Sequence, residues 1–560
     1  MALPQRPVHG LNDPNQMRRD RETLNDILTF RHDDSRIRTA AEVAAGVTPV
    51  NYAYAPGDWL RYGASPGANA STNTTAINNA LASASSVFCS LPGTYVVNDN
   101  LNCQDNQTLD LSNGVVIQSD DGVSWVDTGI IEINGVTNFR MYGGTIDGNK
   151  AGNSGGRAFG VRIFDSTNVQ LYGVRSINCP QSSPGPGNGG DGFVVHGSSA
   201  NVGLYGCIAD ANERQGLSIV QVSGMIVSGG DYSNTTGSAP GAGIDIEADG
   251  VNTVLDVALI GVRCASNQIG IVVTTGASKI AIIGCNTRGN RANEMFLGDC
   301  ELVSTSGCTF LADSSVDGSP VVNIIDADDV TFCGNIVIGS GNSTEREGVR
   351  VSQSCNRILI QNSIVRSTYD AGIRVGTAAM GADNDNVLVS DNMLIDCLNP
   401  AKTGIGVIDI EANSGSFYSR RVSVRGNHIY DSRTAGNEAD FGVRVSTSIT
   451  EAIKSGYRVE GNKSEGPATA TTNLPLRGSI SWNPASLGDG TGETSSAITV
   501  TGAAFGDSVD VGIPYDVQGM NVTGYVSAAD TVKIRIQNET GGTIDLGAGT
   551  WTVHVRKLSE

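Results

Sequence analysis

Aromatic residues make up only 5% of this 560-residue chain and charged residues 17%, where about 25% charge is usual. A core so short of rings has to be built from many small aliphatic contributions. No run of about 18 apolar residues occurs, so no segment reads as a membrane-spanning helix. The opening MALPQRPVHGLNDPNQ lacks the apolar centre of a secretory signal; an extracellular role then calls for another exit, such as cell lysis. Basic residues are outnumbered, 37 Lys and Arg against 57 Asp and Glu, for a net charge of −20. Such a surface repels phosphate, so neither nucleic acid nor a membrane is an expected partner.

The 11 cysteines are odd in number and contain no CxxC pair, which argues against a disulfide framework or a zinc site. Cys207, Cys285 and Cys308 each follow a glycine (YGC, IGC, SGC) and read as small buried hydrophobes stacked in a core. No metal or cofactor is expected. TIDGNK (Thr145–Lys150) reads as a corner turn, and the glycine-rich GNGGDG (Gly187–Gly192) does not lead from a strand into a helix, as a dinucleotide loop must.

Glycine is what the chain has in excess, 71 residues, and it falls in a repeat. GVRIFDSTNVQLYGVRSIN from Gly160, GFVVHGSSANVGLYGCIADAN from Gly192, GLSIVQVSGMIVSGGDYSN from Gly216, GIDIEADGVNTVLDVALIGVRCASN from Gly243 and GIVVTTGASKIAIIGCNTRGN from Gly270 share one plan. Each has a strand, a corner, a second strand and a Gly- or Asn-rich end, and similar units lead from Gly348 and Gly372. Units of 24 to 32 residues are too short to bury both faces alone, and stacking gives them one shared core. The expected fold is all-β: a right-handed parallel β-helix, or solenoid, over residues 103–466. Counting from each leading glycine, offsets +1 and +3 are apolar (Leu217/Ile219, Ile244/Ile246, Ile271/Val273) and should point inward, leaving +2 and +4 to solvent.

The ends differ. Residues 1–55 are polar, with a possible helix at Arg18–Phe30, and read as a short N-terminal adaptor. Within 56–102, TTAINNALASA (Thr74–Ala84) reads as a helix and LPGTYVV (Leu91–Val97) as a strand, together closing the open end of the solenoid. From 467 to 560 the segments ISW, AITVTG, SVDVGI, MNVTGYV, TVKIRIQN and TWTVHVRK suit a small antiparallel β-sandwich.

The succession RYGASPGA…NTTAINNALASA…SLPGTYVV resembles the opening of the pectate-lyase-like β-helix superfamily, which includes phage tailspikes and polysaccharide enzymes. Here the acidic pair of the usual phrase is replaced by Asn73 and Thr74. The stretch Ala211–Gly250, with RQG followed by APGAGIDIE, is similar to one recurring in phage and bacterial members. The tail resembles a C-terminal module of phage structural proteins that usually trimerises. The resemblance implies a homotrimeric tailspike, made in the host cytoplasm without a signal peptide, held by its N-terminus to other virion tail proteins, and acting on a bacterial surface polysaccharide, capsule or O-antigen.

The outward offsets carry the candidate chemistry. Asp191, His196, Glu213, Arg214, Gln215, Asp245 and Glu247 are expected to converge on three adjacent rungs. Asp245 and Glu247, two apart on one strand, project from one face with backbones about 6.5–7 Å apart, near the about 6.5–9.5 Å separation of inverting glycosidases. They read as a catalytic pair, with His196 orienting a sugar or relaying a proton. Asp191, Glu213, Arg214, Gln215 and Arg162 read as substrate-binding, Arg214 suiting an acidic sugar through a bidentate contact. A second echo of GIDIEA, VIDIEA, places Asp409 and Glu411 in the same pattern, so the phrase alone is not diagnostic. Hydrolytic depolymerisation leads; a polysaccharide lyase or epimerase, and a non-catalytic receptor-binding or virion-decorating protein, are the alternatives.

Overall fold

The computed structural model describes residues 38–560 except 155, 182–188, 236, 249–252, 313–317, 342–346, 378–380, 400, 413–416, 434–438, 447–448, 450–456, 467–468, 472–475, 501 and 557–560. The helix expected at Arg18–Phe30 lies outside the described residues. Two compact units are present, one of residues up to 304 with 311–315, the other of residues 305–310 and 316 onward.

The first unit opens on a short helix, Ala40–Ala44, whose Thr39 and Glu42 form a capping box. A longer helix, Ala70–Ser83, is capped by Asn69, whose side chain accepts from Thr72 N. It starts four residues before the expected Thr74 because that cap lies further back. Its buried side carries Ala76, Ile77, Ala80 and Leu81. Asn73 and Thr74, standing where the family phrase is acidic, serve as neutral hydrogen-bonding groups: Asn73 Oδ1 accepts from Ser65 N, and Thr74 Oγ1 from Asn98 N. The helix is tied to the first coil by Gln107, whose side-chain amide donates to Leu81 O and Ala84 O. A short strand, Ser86–Phe88, follows, and the strand expected from Leu91 runs Gly93–Val97, since Pro92 has no N–H for a ladder.

The coil follows. One turn runs Ala242–Glu247, Val254–Ile260 and Arg263–Ala265, and the next Ile269–Thr274, Ser278–Ile283 and Asn286–Arg288. Successive turns pair in parallel and in register, Ile244 on Ile271 and Ile246 on Val273. Each turn has a third strand beyond the expected two. With three residues and one inward side chain apiece (Ala209, Tyr232, Cys264, Thr287), it is too short to register as a period. Offsets +1 and +3 are dry: Leu217, Ile219, Ile244, Ile246, Ile271 and Val273 are fully buried. Cys207, Cys285 and Cys308 are buried as well, each following a glycine of positive φ at the corner.

The leading glycines are required by proximity. A Cβ on Gly192 or Gly243 would stand 2.8 Å from the carbonyl oxygen of the next leading glycine, and one on Gly160 2.7 Å; Gly216 meets the Gly243 carbonyl closer still. No β-carbon fits between rungs there.

The second unit coils in the same way, for example through Val349–Ser352, Asn356–Gln361 and Ile364–Arg366, with Val349 paired to Ile373 in the next turn. A buried ladder runs up its corner: Ser363 N donates to Asn392 Oδ1, Asn392 N to Asn427 Oδ1, and Asn427 N to Asn462 Oδ1. Each asparagine satisfies the corner N–H of the turn before it, which would otherwise be a costly buried donor. The last part of this unit is antiparallel. Strands Leu476–Trp482, Ser508–Gly512 and Gly549–Arg556 form one sheet, and Gly492–Thr494, Ile498–Thr499, Asn521–Ala528 and Thr531–Gln537 the other. Trp482 and Trp551, 5.3 Å apart, share a core with Ile534, Ile536, Val553 and Val555.

Replacing Gly216 by Ala forces rungs apart and should destabilise by about 3 kcal/mol or more. Gly206→Ala, at a corner with φ +61° and open space around it, should cost only about 1–2 kcal/mol of backbone strain. Thermal midpoints compared side by side check this; equal losses would refute the proximity argument.

Candidate active site

Offset +2 forms a vertical column. In the first unit it reads Glu132, Arg162, Val194, Ser218, Asp245, Val272 and Phe296, each in register with the next. These side chains point away from the aliphatic core, but they are not bathed in solvent as expected. Val194, Ser218, Asp245 and Val272 are all 5% exposed or less. The turn before the Ser218 strand reaches over part of the column, Arg214 donating to Ser218 and Gln215 to Asp245. Offset +4 is wetter: His196, Val220, Glu247 and Thr274 are half-buried.

Asp191 and Arg214 come from turns just before two successive strands. Arg214 donates from Nε and Nη2 to the two Asp191 oxygens, each at 2.8 Å. Ser218, missed as a site residue although it stands in the column beside Asp245, donates to Asp191 Oδ2 at 2.8 Å. Asp191 is fully buried and anchors Arg214. Burial pushes its carboxyl up, against the pull of Arg214 and Ser218. Two nearby carboxyls pair with other cations, Glu213 with Lys150 at 3.5 Å and Asp210 with Arg175 at 3.1 Å.

Asp245 and Glu247 sit on one strand, Ala242–Glu247, at alternate positions. Asp245 is 1% exposed, and its carboxyl is pushed up to about 8, first by burial, then by the charge of Glu247, with Arg214 pulling down. Asp245 Oδ2 accepts from Gln215 Nε2 at 2.5 Å, while Oδ1 has no hydrogen-bond partner among the described residues. Gln215 is itself fully buried and accepts from Ala242 N at 2.9 Å. Both ends of the Gln215 amide are thus engaged within the protein.

His196 and Arg162 belong to another cluster. Arg162 donates from Nε to His196 Nε2 at 2.8 Å and from Nη1 to Glu132 Oε1 at 2.6 Å. The guanidinium lies over the Phe164 ring at 4.6 Å, and the His196 ring packs on the same phenyl at 4.5 Å. Burial and the Arg162 charge lower His196 to about 4, so it is neutral at neutral pH. The structure thus unites Asp191, Arg214, Gln215, Asp245 and Glu247, and leaves out His196, Glu213 and Arg162.

The VIDIEA phrase gives an internal comparison. In the second unit the column reads Asn323, Arg350, Arg374, Asp409 and Arg444. Asp409, the counterpart of Asp245, is gripped by Arg444 through Nε at 2.5 Å and Nη2 at 2.8 Å. Arg374 below it binds Glu347 and Asp370 at 2.8 and 2.7 Å. Asp245 has Val272 and Ser218 in the places of those two arginines. One phrase thus yields a carboxyl shielded by cations in one unit and a proton-holding carboxyl in the other.

Solved structures with similar coordinates include the tailspike of E. coli bacteriophage HK620. A double mutant of it superposes with a TM-score of 0.54 at 11% identity, covering 88% of this chain and 91% of that one. A single mutant in complex with a pentasaccharide gives 0.50 at the same identity and coverages. The fold is that of the phage tailspikes. The Dettilon tailspike also matches, at 11% identity and a TM-score of 0.40 over 89% of this chain and 92% of that one. No protein-family model and no curated protein matches the sequence, so the tailspike likeness is one of coordinates.

The raised carboxyl makes a signed prediction. Folded Asp245 keeps its proton up to about pH 8, whereas the unfolded carboxyl loses it near its ordinary value of about 3.9. Native protein binds the extra proton in that window, so this group's contribution is fully present at low pH and is lost as pH rises towards 8, at about 1.4 kcal/mol per unit. Asp245→Asn should therefore gain on the parent in unfolding free energy from pH 5 to pH 8. Parallel pH profiles for the two proteins would exclude the shift.

Proposed function

We propose that this chain is a phage tailspike that binds and depolymerises a bacterial surface polysaccharide, capsule or O-antigen, by glycoside hydrolysis. Asp245 acts as general acid and Glu247 as the base that activates water. The observation carrying this reading is the unequal pair: one carboxyl that keeps its proton at neutral pH and, two residues along the same face, another at a wetter position. Glycoside hydrolysis needs that division of labour. The solved HK620 tailspike with a bound pentasaccharide supports a saccharide as the ligand class. Arg214, held by Asp191, supplies a cation beside the pair. The spike works as a homotrimer in the virion tail, attached through its N-terminal residues to other tail proteins. No helix among the described residues is long and apolar enough to cross a membrane.

A second reading is favoured by one observation. Asp245 is 1% exposed, which suits a protein that binds glycan over Glu247 and Arg214 without cleaving it. The two readings part on turnover.

Host polysaccharide incubated with the protein should fall to oligosaccharides, and Asp245→Asn and Glu247→Gln should each slow this by about 10²–10⁴-fold with glycan binding retained. The rate should decline as pH rises through about 8, where Asp245 loses its proton. Unchanged glycan size after long incubation selects the binding protein, and products with a new ultraviolet-absorbing double bond select a lyase. Light scattering should give about three times the 58.1 kDa chain mass; a single-chain mass would remove the trimer.

A further inference from the structure

The second strands of the first unit carry an outward column that holds no charge. It reads Tyr142, Tyr172, Tyr205, Ser228, Ile260 and Ile283, each in register with the next. At about 4.8 Å per rung it is about 24 Å long. The column beside it is uncharged too, from Gln170 through Ile226 to Ala281. Charge returns on both flanks, with Asp256 and Lys279 near the starts of these strands and Asp231 and Arg263 past the corner. Large apolar side chains stand open in between: Ile226 is 42%, Ile260 39% and Ile283 43% exposed. A contiguous apolar strip of this kind marks a contact surface.

The tyrosines do not make a platform for sugar. Their rings stack on one another with centroids 5.0 and 4.9 Å apart, so Tyr172 has a ring on each face. Tyr205 leans back over Gly203, where a Cβ would stand 2.5 Å from its Cε2. The stack offers ring edges to a partner. What covers the strip has to match a surface without charge. Copies of a chain with net charge −20 repel one another except where neither presents a carboxylate. A rotation axis running along the coil sets each rung beside the same rung of another copy, and side chains nearest the axis meet their own counterparts. Isoleucine then meets isoleucine, whereas a charged column would meet its own sign. The charged flanks become a polar rim.

We propose that this strip packs against other copies of the chain, coil beside coil and pointing the same way. The proposal rests on the homotrimer reading and adds the face through which the coils meet. The strand of Asp245 and Glu247 belongs to the other sheet, so assembly through the strip does not enlist the carboxyl pair.

Introduced cysteines test this in the full chain, because ten of its 11 own thiols are buried and Cys333 is half-buried. Ile260→Cys and Ile283→Cys, treated with an oxidant or a short bis-maleimide, should give a two-chain band on a denaturing gel. Around a three-fold axis two thiols of three can pair, so up to about two thirds of the protein should enter that band. The yield should hold over about a 100-fold dilution, as linkage within one assembly does. Val126→Cys, at a position 64% exposed on the other sheet, should stay single-chain. If light scattering finds three chains and both cysteines link no better than Val126→Cys, or link only at high concentration, the strip is not the contact and the trimer is held elsewhere. A parent protein of single-chain mass removes the trimer itself, and this face with it.

Discussion

Everything in the first unit depends on how closely one rung can lie on the next at the leading glycine. The carbonyl of one such glycine stands where the β-carbon of the preceding one would be, and that approach fixes the parallel register along the strands beyond it. Register in turn decides which side chain lies over which. Because the side-chain period of a strand is two, a slip of one residue would exchange the dry and wet columns and carry Asp245 and Glu247 into the aliphatic core. The glycines are therefore as much a part of the site as the carboxyls.

Given that register, the chemistry of an outward carboxyl is set vertically. Asp245 and Asp409 lie in nearly the same local phrase, IDIEA, and differ in what stands one rung away. Arg374 and Arg444 flank Asp409, whereas Ser218 and Val272 flank Asp245. An aliphatic neighbour removes water and favours the neutral acid, the direction in which Asp245 is shifted. Around Asp245 the carboxyls of Asp191 and Glu247 lie close to Arg214, and Arg214 is committed to Asp191 by two hydrogen bonds. The proton on Asp245 is the least costly way to relieve that crowding of carboxyls.

The coil was legible because its signals are long and redundant: a glycine, two apolar offsets and a polar corner, repeated many times. The third strand of each turn was not, since three residues give no period. The pairing of Asp245 with Glu247 on one face follows from alternation alone. The solvent exposure inferred from the same alternation did not hold, because alternation says which way a side chain points and nothing about what covers it. The cover over Asp245 comes from the turn ending in Gln215, thirty residues earlier. The partner of Arg214 was missed for the same reason: Asp191 is 23 residues away, closer through the stack than along the chain. The partners of the His196 ring were not legible either, because Arg162 and Phe164 come from the preceding rung.

In a solenoid, then, a motif read along the chain specifies geometry, and the residues about one turn before and after it specify protonation. Arg444 follows Asp409 by 35 residues and meets it directly; Val272 follows Asp245 by one turn and meets it directly. A column of successive offsets, written vertically, therefore carries the electrostatic information that a linear motif omits. On that reading the IDIEA phrase marks where a carboxyl pair projects, and the serine and valine one rung below and above Asp245 leave its carboxyl to the upward push of burial.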